Sequence, residues 1–224
     1  MTPPQSEEDY VWIYKKLNAF WIHDGNPKHP HARLTSNRHS NGFFNSRLVI
    51  ERDDVLRLCA LRLKDMYSES ATHLRDVDIV VGPQTGATRL ATLLAIHIGE
   101  SRGYSCRFAS PRKGESANHE KVMIFDDEEQ TVYCRDRVLL CEDVITTGES
   151  VAGTGRAVEA RGGIVLPYIL SLVNRSGQKE IGGRTILSLI DRHMPTWEAD
   201  ECPLCAQGSL AIRPKDNWDQ LVLS

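Results

Sequence analysis

Between residues 77 and 191, apolar β-branched runs alternate with stretches of helical period, and this alternation limits the fold more than any other feature. The runs at 77–82, 104–109, 137–143, 163–174 and 185–191 read as strands, and 87–99 and 149–161 as helices. Segments 122–125 and 131–134 read as a hairpin. Strands that are apolar along their whole length need cover on both faces, which a mostly parallel sheet flanked by helices provides. The expected class is α/β. In such sheets ligands bind beyond the carboxyl ends of the strands. Three loops stand there, at 82–88, 146–150 and 174–177.

Upstream of this core, Ser6-x-x-Asp9 reads as a capping box. Tyr10, Val11, Tyr14, Leu17 and Trp21 follow at helical spacing. Strand-like runs at 32–36 and 43–50 flank a polar insert at 37–42. Asp53 then caps a second helix with Val55, Leu58, Cys59 and Met66 on one side. After Met194 the composition changes, and the tail reads as an appendage rather than a second domain. A net charge of -3 gives no reason to expect a nucleic-acid partner. No apolar run approaches the roughly 20 residues that span a bilayer, and the acidic N-terminus lacks the features of a signal peptide. Six scattered cysteines read as reduced thiols of a cytoplasmic protein.

The chemistry concentrates in the run Val138-Leu-Leu-Cys-Glu142-Asp143-Val144-Ile145-Thr146-Thr147-Gly148-Glu149-Ser150. An apolar strand ends in two adjacent carboxylates, and a Thr-Thr-Gly-x-Ser turn enters a helix. Hydroxyls, a flexible glycine and the first N–H groups of a helix make a cradle for phosphate. Paired acids accept hydrogen bonds from vicinal sugar hydroxyls, and with a phosphate nearby they attract Mg²⁺. The bland alternative is a capped strand–turn–helix with two solvated acids. The loop Gly82-Pro-Gln84-Thr85-Gly86-Ala87 also ends a buried strand and precedes a helix, with two glycines allowing close backbone approach.

The 142–150 run resembles the phosphoribosyl pyrophosphate (PRPP) signature of type I phosphoribosyltransferases. From about residue 30 to 177 the chain is most similar to orotate phosphoribosyltransferases. The resemblance implies that family's mostly parallel twisted sheet with a small N-terminal hood. It divides the chain into helix and substrate hood (1–52), core (53–192) and C-terminal appendage (193–224). It also implies transfer of phosphoribose from PRPP to a nucleobase, orotate favoured, with Mg²⁺, in a cytoplasmic homodimer that engages neither nucleic acid nor membrane. Glu142 and Asp143 would hold the ribose, residues 144–150 the phosphate, and Gln84, Thr85 and Gly86 the pyrophosphate. Mg²⁺ would be held mainly through PRPP, with Glu142 and Asp143 as protein ligands. In the run from Leu34 to Asn45, Phe43 and Phe44 match the family's aromatic lid over the base, while Thr146 and Arg175 match positions that meet orotate. For one of the two phenylalanines, core packing is the other reading.

The stretch Pro111-Arg112-Lys113-Gly-Glu-Ser116-Ala-Asn-His119-Glu-Lys121 resembles the family's closing loop. Arg112 and Lys113 match its Arg-Lys start and His119 lies close to its histidine, but Ser116 stands where a catalytic lysine is usual, and Thr35 stands where many members carry a substrate-contacting lysine. Two other readings therefore stand: a transferase for another base, and a PRPP-binding regulator without turnover. Cys202-Pro-Leu-Cys205 resembles one knuckle of a zinc site, which usually needs four ligands. No second knuckle exists, leaving His193 or a second tail in a dimer as further ligands, or a metal-free turn. The histidines at 23, 29, 31, 73 and 97 share no spacing and read as surface or packing residues.

Overall fold

The computed structural model describes residues 4–70, 76–115, 119, 121–126 and 131–223; His73 and Ser116 lie outside them. The chain opens with α1 (Glu7–Lys16), whose capping box forms as the sequence predicts: Ser6 accepts from the Asp9 N–H while Asp9 caps Ser6. Four short strands follow, β1 (Phe20–Ile22), β2 (His31–Arg33), β3 (His39–Ser40) and β4 (Gly42–Phe44), then α2 (Ser46–Ile50) and α3 (Asp53–Ser70). Two of the sequence expectations change here. The polar insert at 37–42 contains β3. The run at 43–50 is strand only to Phe44 and then turns at Asn45 into a helix. Ser46, Val49 and Ile50 are the buried positions, a spacing of three and four rather than two.

The core comprises β5 (Ile79–Val81), α4 (Thr88–Arg102), β6 (Arg107–Ala109), β7 (Arg112–Glu115), β8 (Lys121–Ile124), β9 (Arg137–Ile145), α5 (Glu149–Ala160), β10 (Ile164–Asn174), β11 (Glu180–Ile181) and β12 (Arg184–Asp191). Six of these strands form one sheet in the order β11-β12-β10-β9-β5-β6. Its pairings are parallel except that of β11 with β12. Residue parity sorts the side chains to two faces. Val80, Leu139, Cys141 and Leu170 face the apolar sides of α1, α3 and α4. Ile79, Val81, Val138, Leu140 and Ile169 face Val151 and Val158 of α5.

The expected hairpin also forms from different segments. β8 pairs antiparallel with the polar β7, Lys113 opposite Met123, and residues 131–134 are not a strand. A ribbon whose two faces stay largely open needs no apolar alternation, so periodicity could not reveal β7.

The tail supplies β13 (Thr196–Trp197), α6 (Pro203–Ala206), β14 (Ala211–Ile212) and α7 (Trp218–Val222). Its two strands flank the hood pair to give a second sheet, β13-β3-β2-β14. Trp21, Ala32 and Leu221 form a small separate core there, with Phe43 and Trp218 packed against it. No described helix is long and apolar enough to cross a membrane.

Candidate active site

The central strand β9 delivers Glu142 and Asp143 to the carboxyl edge of the sheet, between β5 and β10. Glu142 is 7% exposed and Asp143 half-buried. Burial, and then the Asp143 carboxylate beside it, push the Glu142 carboxyl well above the ordinary carboxylate range; the Lys113 charge opposes that rise. That charge comes from β7 of the ribbon. The Asp143 N–H donates to Glu142 Oε1 at 3.1 Å, which fixes the carboxyl against its own strand.

Beyond Ile145 the chain turns through Thr146 and Thr147 to Gly148, which caps α5 in the left-handed region at φ 83°. A Cβ there would stand 2.5 Å from Ile181 Cδ1. Gly148 has no side chain to cap α5; the Glu149 N–H donates to Thr147 Oγ1 at 3.4 Å, and the start of the helix remains a place where an anion is favoured.

The 82–88 loop closes against this edge. Gly82 N–H donates to Ala109 O at 3.1 Å, and Gln84 donates from its backbone to Pro111 O and from its side chain to Ser110 O, each at 2.9 Å. The Gln84–Thr85 peptide is cis. At Gly86 a side chain would collide with the Asp143 carboxylate. The 82–88 loop and the 142–150 run, to which the resemblance gives the pyrophosphate and the ribose, therefore meet at one point.

Arg175 stands at the end of β10 and is 2% exposed. Its Nη1 donates to Gly42 O at 3.0 Å and its Nη2 to Ser40 Oγ at 2.6 Å, while Nε has no protein partner. Burial pushes its pKa down to about 10. Arg175 thus locks the hood onto the core, a role its loop position did not signal. Asn174 shapes the loop, donating to Gln178 O at 2.8 Å and accepting from the Ser176 N–H and hydroxyl.

The two hood phenylalanines part company. Phe44 is buried, stacked on Phe20 at 4.7 Å and edge-on to Tyr14 at 5.4 Å. Phe43 is half-buried, with its ring 5.8 Å from Trp218. On the ribbon, Arg112 is held by both oxygens of Asp126. His119 is exposed, 3.7 Å from Glu115. His193 packs over Gly177, not near the cysteine pair. His31 and His39 lie there instead.

No protein-family model matches the chain. It is 30% identical to the orotate phosphoribosyltransferase of Caldicellulosiruptor bescii over 221 residues, covering 93% of this chain and 97% of that one. The enzyme of the same name from Chlorobaculum parvum is 33% identical over 180 residues, covering 80% and 83%. The chain belongs to the orotate phosphoribosyltransferase family. The fold agrees: the crystal structure of the Aeropyrum pernix orotate phosphoribosyltransferase matches with a TM-score of 0.59 at 22% identity, covering 80% of this chain and 92% of that one. An adenine phosphoribosyltransferase from Rhodothermus marinus matches with a TM-score of 0.51 at 21% identity, covering 66% and 85%, so the core sheet is shared with relatives named for another base.

Proposed function

We propose that the chain transfers the phosphoribosyl group of PRPP to orotate, forming orotidine 5'-monophosphate and releasing pyrophosphate. The observation that carries this reading is the Glu142–Asp143 pair at the end of the central strand, with Gly86 against Asp143, in a chain of this family. A ring nitrogen of the base bonds to the anomeric carbon as the carbon–oxygen bond to pyrophosphate breaks. The electron pair leaves with pyrophosphate, and the N–H proton of the base passes to water. Positive charge develops on the ribose, so preorganised negative charge beneath it lowers the barrier.

In this reading Glu142 and Asp143 take the ribose hydroxyls, and the 144–150 turn with the start of α5 takes the 5'-phosphate. Gln84, Thr85 and Gly86 present backbone to the pyrophosphate. Lys113 brings positive charge from the ribbon, and Arg112 and His119 share that ribbon. Thr146 and the half-buried Phe43 serve the base, with Phe44 as support beneath, and Arg175 serves it by holding the hood through Gly42 and Ser40. Mg²⁺ suits the donors here, two adjacent carboxyl groups on β9 whose oxygens are hard ligands. Bound with PRPP, it would neutralise the departing pyrophosphate. The family reading extends to a homodimer working in the cytoplasm.

A panel of bases with PRPP and Mg²⁺, followed by pyrophosphate release, tests the proposal. Orotate alone should support turnover. Turnover with a different base would favour the other-base reading, and tight PRPP binding without turnover the regulator. Glu142→Gln with Asp143→Asn should lower kcat/KM about a hundredfold or more, from two contacts worth about 1.5–3 kcal/mol each.

A further inference from the structure

Four side chains from opposite ends of the chain converge beside the hood sheet. His31 of β2 and His39 of β3 meet Cys202 and Cys205, which bracket the start of α6. One ligand atom of each lies within 4.8 Å of the other three. His31 Nε2 is 3.1 Å from His39 Nδ1 and 3.5 Å from both sulfurs, and Cys205 Sγ is 3.3 Å from His39 Nδ1. Ligands around a tetrahedral zinc ion, with bonds of roughly 2.0–2.3 Å, stand about 3.3–3.8 Å apart. His31, His39 and Cys202 are buried, and Cys205 reaches the rim.

Hydrogen bonding outside the cluster fixes which nitrogen of His31 faces it. Ser209 Oγ donates to His29 O at 2.7 Å, so its oxygen accepts from His31 Nδ1–H at 2.8 Å. That sets the tautomer and leaves a lone pair on Nε2 facing the cluster. A single lone pair cannot take protons from three neighbours, whereas one cation satisfies all four groups at once. An imidazole whose other nitrogen is fixed by a hydrogen bond is the usual arrangement around a bound metal.

We propose that His31, His39, Cys202 and Cys205 are the four ligands of a structural Zn²⁺ site that clamps the C-terminal tail onto the hood. Two thiolates and two imidazoles are a soft, closed set that suits zinc and leaves no open position for substrate. None of the four belongs to the 142–150 run, and the site is separate from the Mg²⁺ used with PRPP. Its ligands lie next to the strand pairings Ala211 with His31 and Trp197 with His39, where the tail joins the hood.

Elemental analysis of the full-length protein, purified without chelator, should find one zinc per chain. Stripping the metal should lower Tm, and adding zinc should restore it. Replacement by Co²⁺ should give the visible bands of a tetrahedral ion with a thiolate charge-transfer band. Cys202→Ser with Cys205→Ser should abolish that band and the zinc content. If this variant does not fold, Co²⁺ titration of stripped wild type decides the matter. Wild type that neither carries nor takes up zinc, a cobalt spectrum without thiolate bands, or full zinc in the folded double variant would each overturn the site.

Discussion

At the residue scale, the acid pair works against stability. Burial raises the folded-state value of Glu142, so the folded chain holds that proton more tightly than the unfolded chain does. Stability therefore falls as pH climbs from the ordinary carboxylate range toward the raised value. Glu142→Gln should remove that slope and raise Tm at neutral pH, by about 2–4 °C per kcal/mol relieved, while turnover drops. Melting curves of both proteins across that pH range, with assays alongside, check it; parallel curves would show that Glu142 is not strained. Gly86→Ala should cut turnover about tenfold or more, because the new methyl displaces Asp143 and small misplacements at a reacting centre are costly. Unchanged kcat and PRPP KM would show that the two loops give way. Glu142 and Asp143 could be read from the sequence because they are contiguous on one strand. Arg175's hold on Ser40 and Gly42 could not, since 135 and 133 residues separate the partners.

At the scale of elements, the parallel strands were legible because a strand buried on both faces leaves an unbroken apolar run. The ribbon and α2 were not: β7 has no apolar face, and the buried spacing of α2 hides in a run apolar enough to pass for strand. The ribbon also separates two cations that sequence reading put together. The Lys113 charge opposes the rise at Glu142, whereas Arg112 is held by Asp126. At saturating PRPP, Lys113→Ala should lower kcat about ten- to a thousandfold, the range for losing one preorganised charge. Arg112→Ala should fall well short of that. Steady-state pyrophosphate release compares them, and a larger loss at Arg112 would mean that it leaves Asp126 when substrate binds.

Across the whole molecule, the tail completes the hood. The chain's two ends share one sheet, β13-β3-β2-β14, and one small core in which Trp218 lies against Phe43. Nothing local in the sequence could show this, because 171 residues separate His31 from Cys202 and the strands that join are two and three residues long. With Phe43 in the proposed role, base recognition would depend on residues far from the 142–150 loop. Trp218 also donates from its indole nitrogen to Asn18 O at 2.8 Å, tying α7 to the start of the hood. Trp218→Ala should therefore cost about 1–3 kcal/mol, less than a fully buried tryptophan because this ring is half-exposed. It should also raise the KM for orotate, as Phe43 loses its backing, while the KM for PRPP holds, since the two faces of the main sheet do not include this core. Thermal melts and two-substrate kinetics on the single variant separate the cases. Equal rises in both KM values would mean that the tail supports the whole active site, and no change in either would leave the hood standing without it.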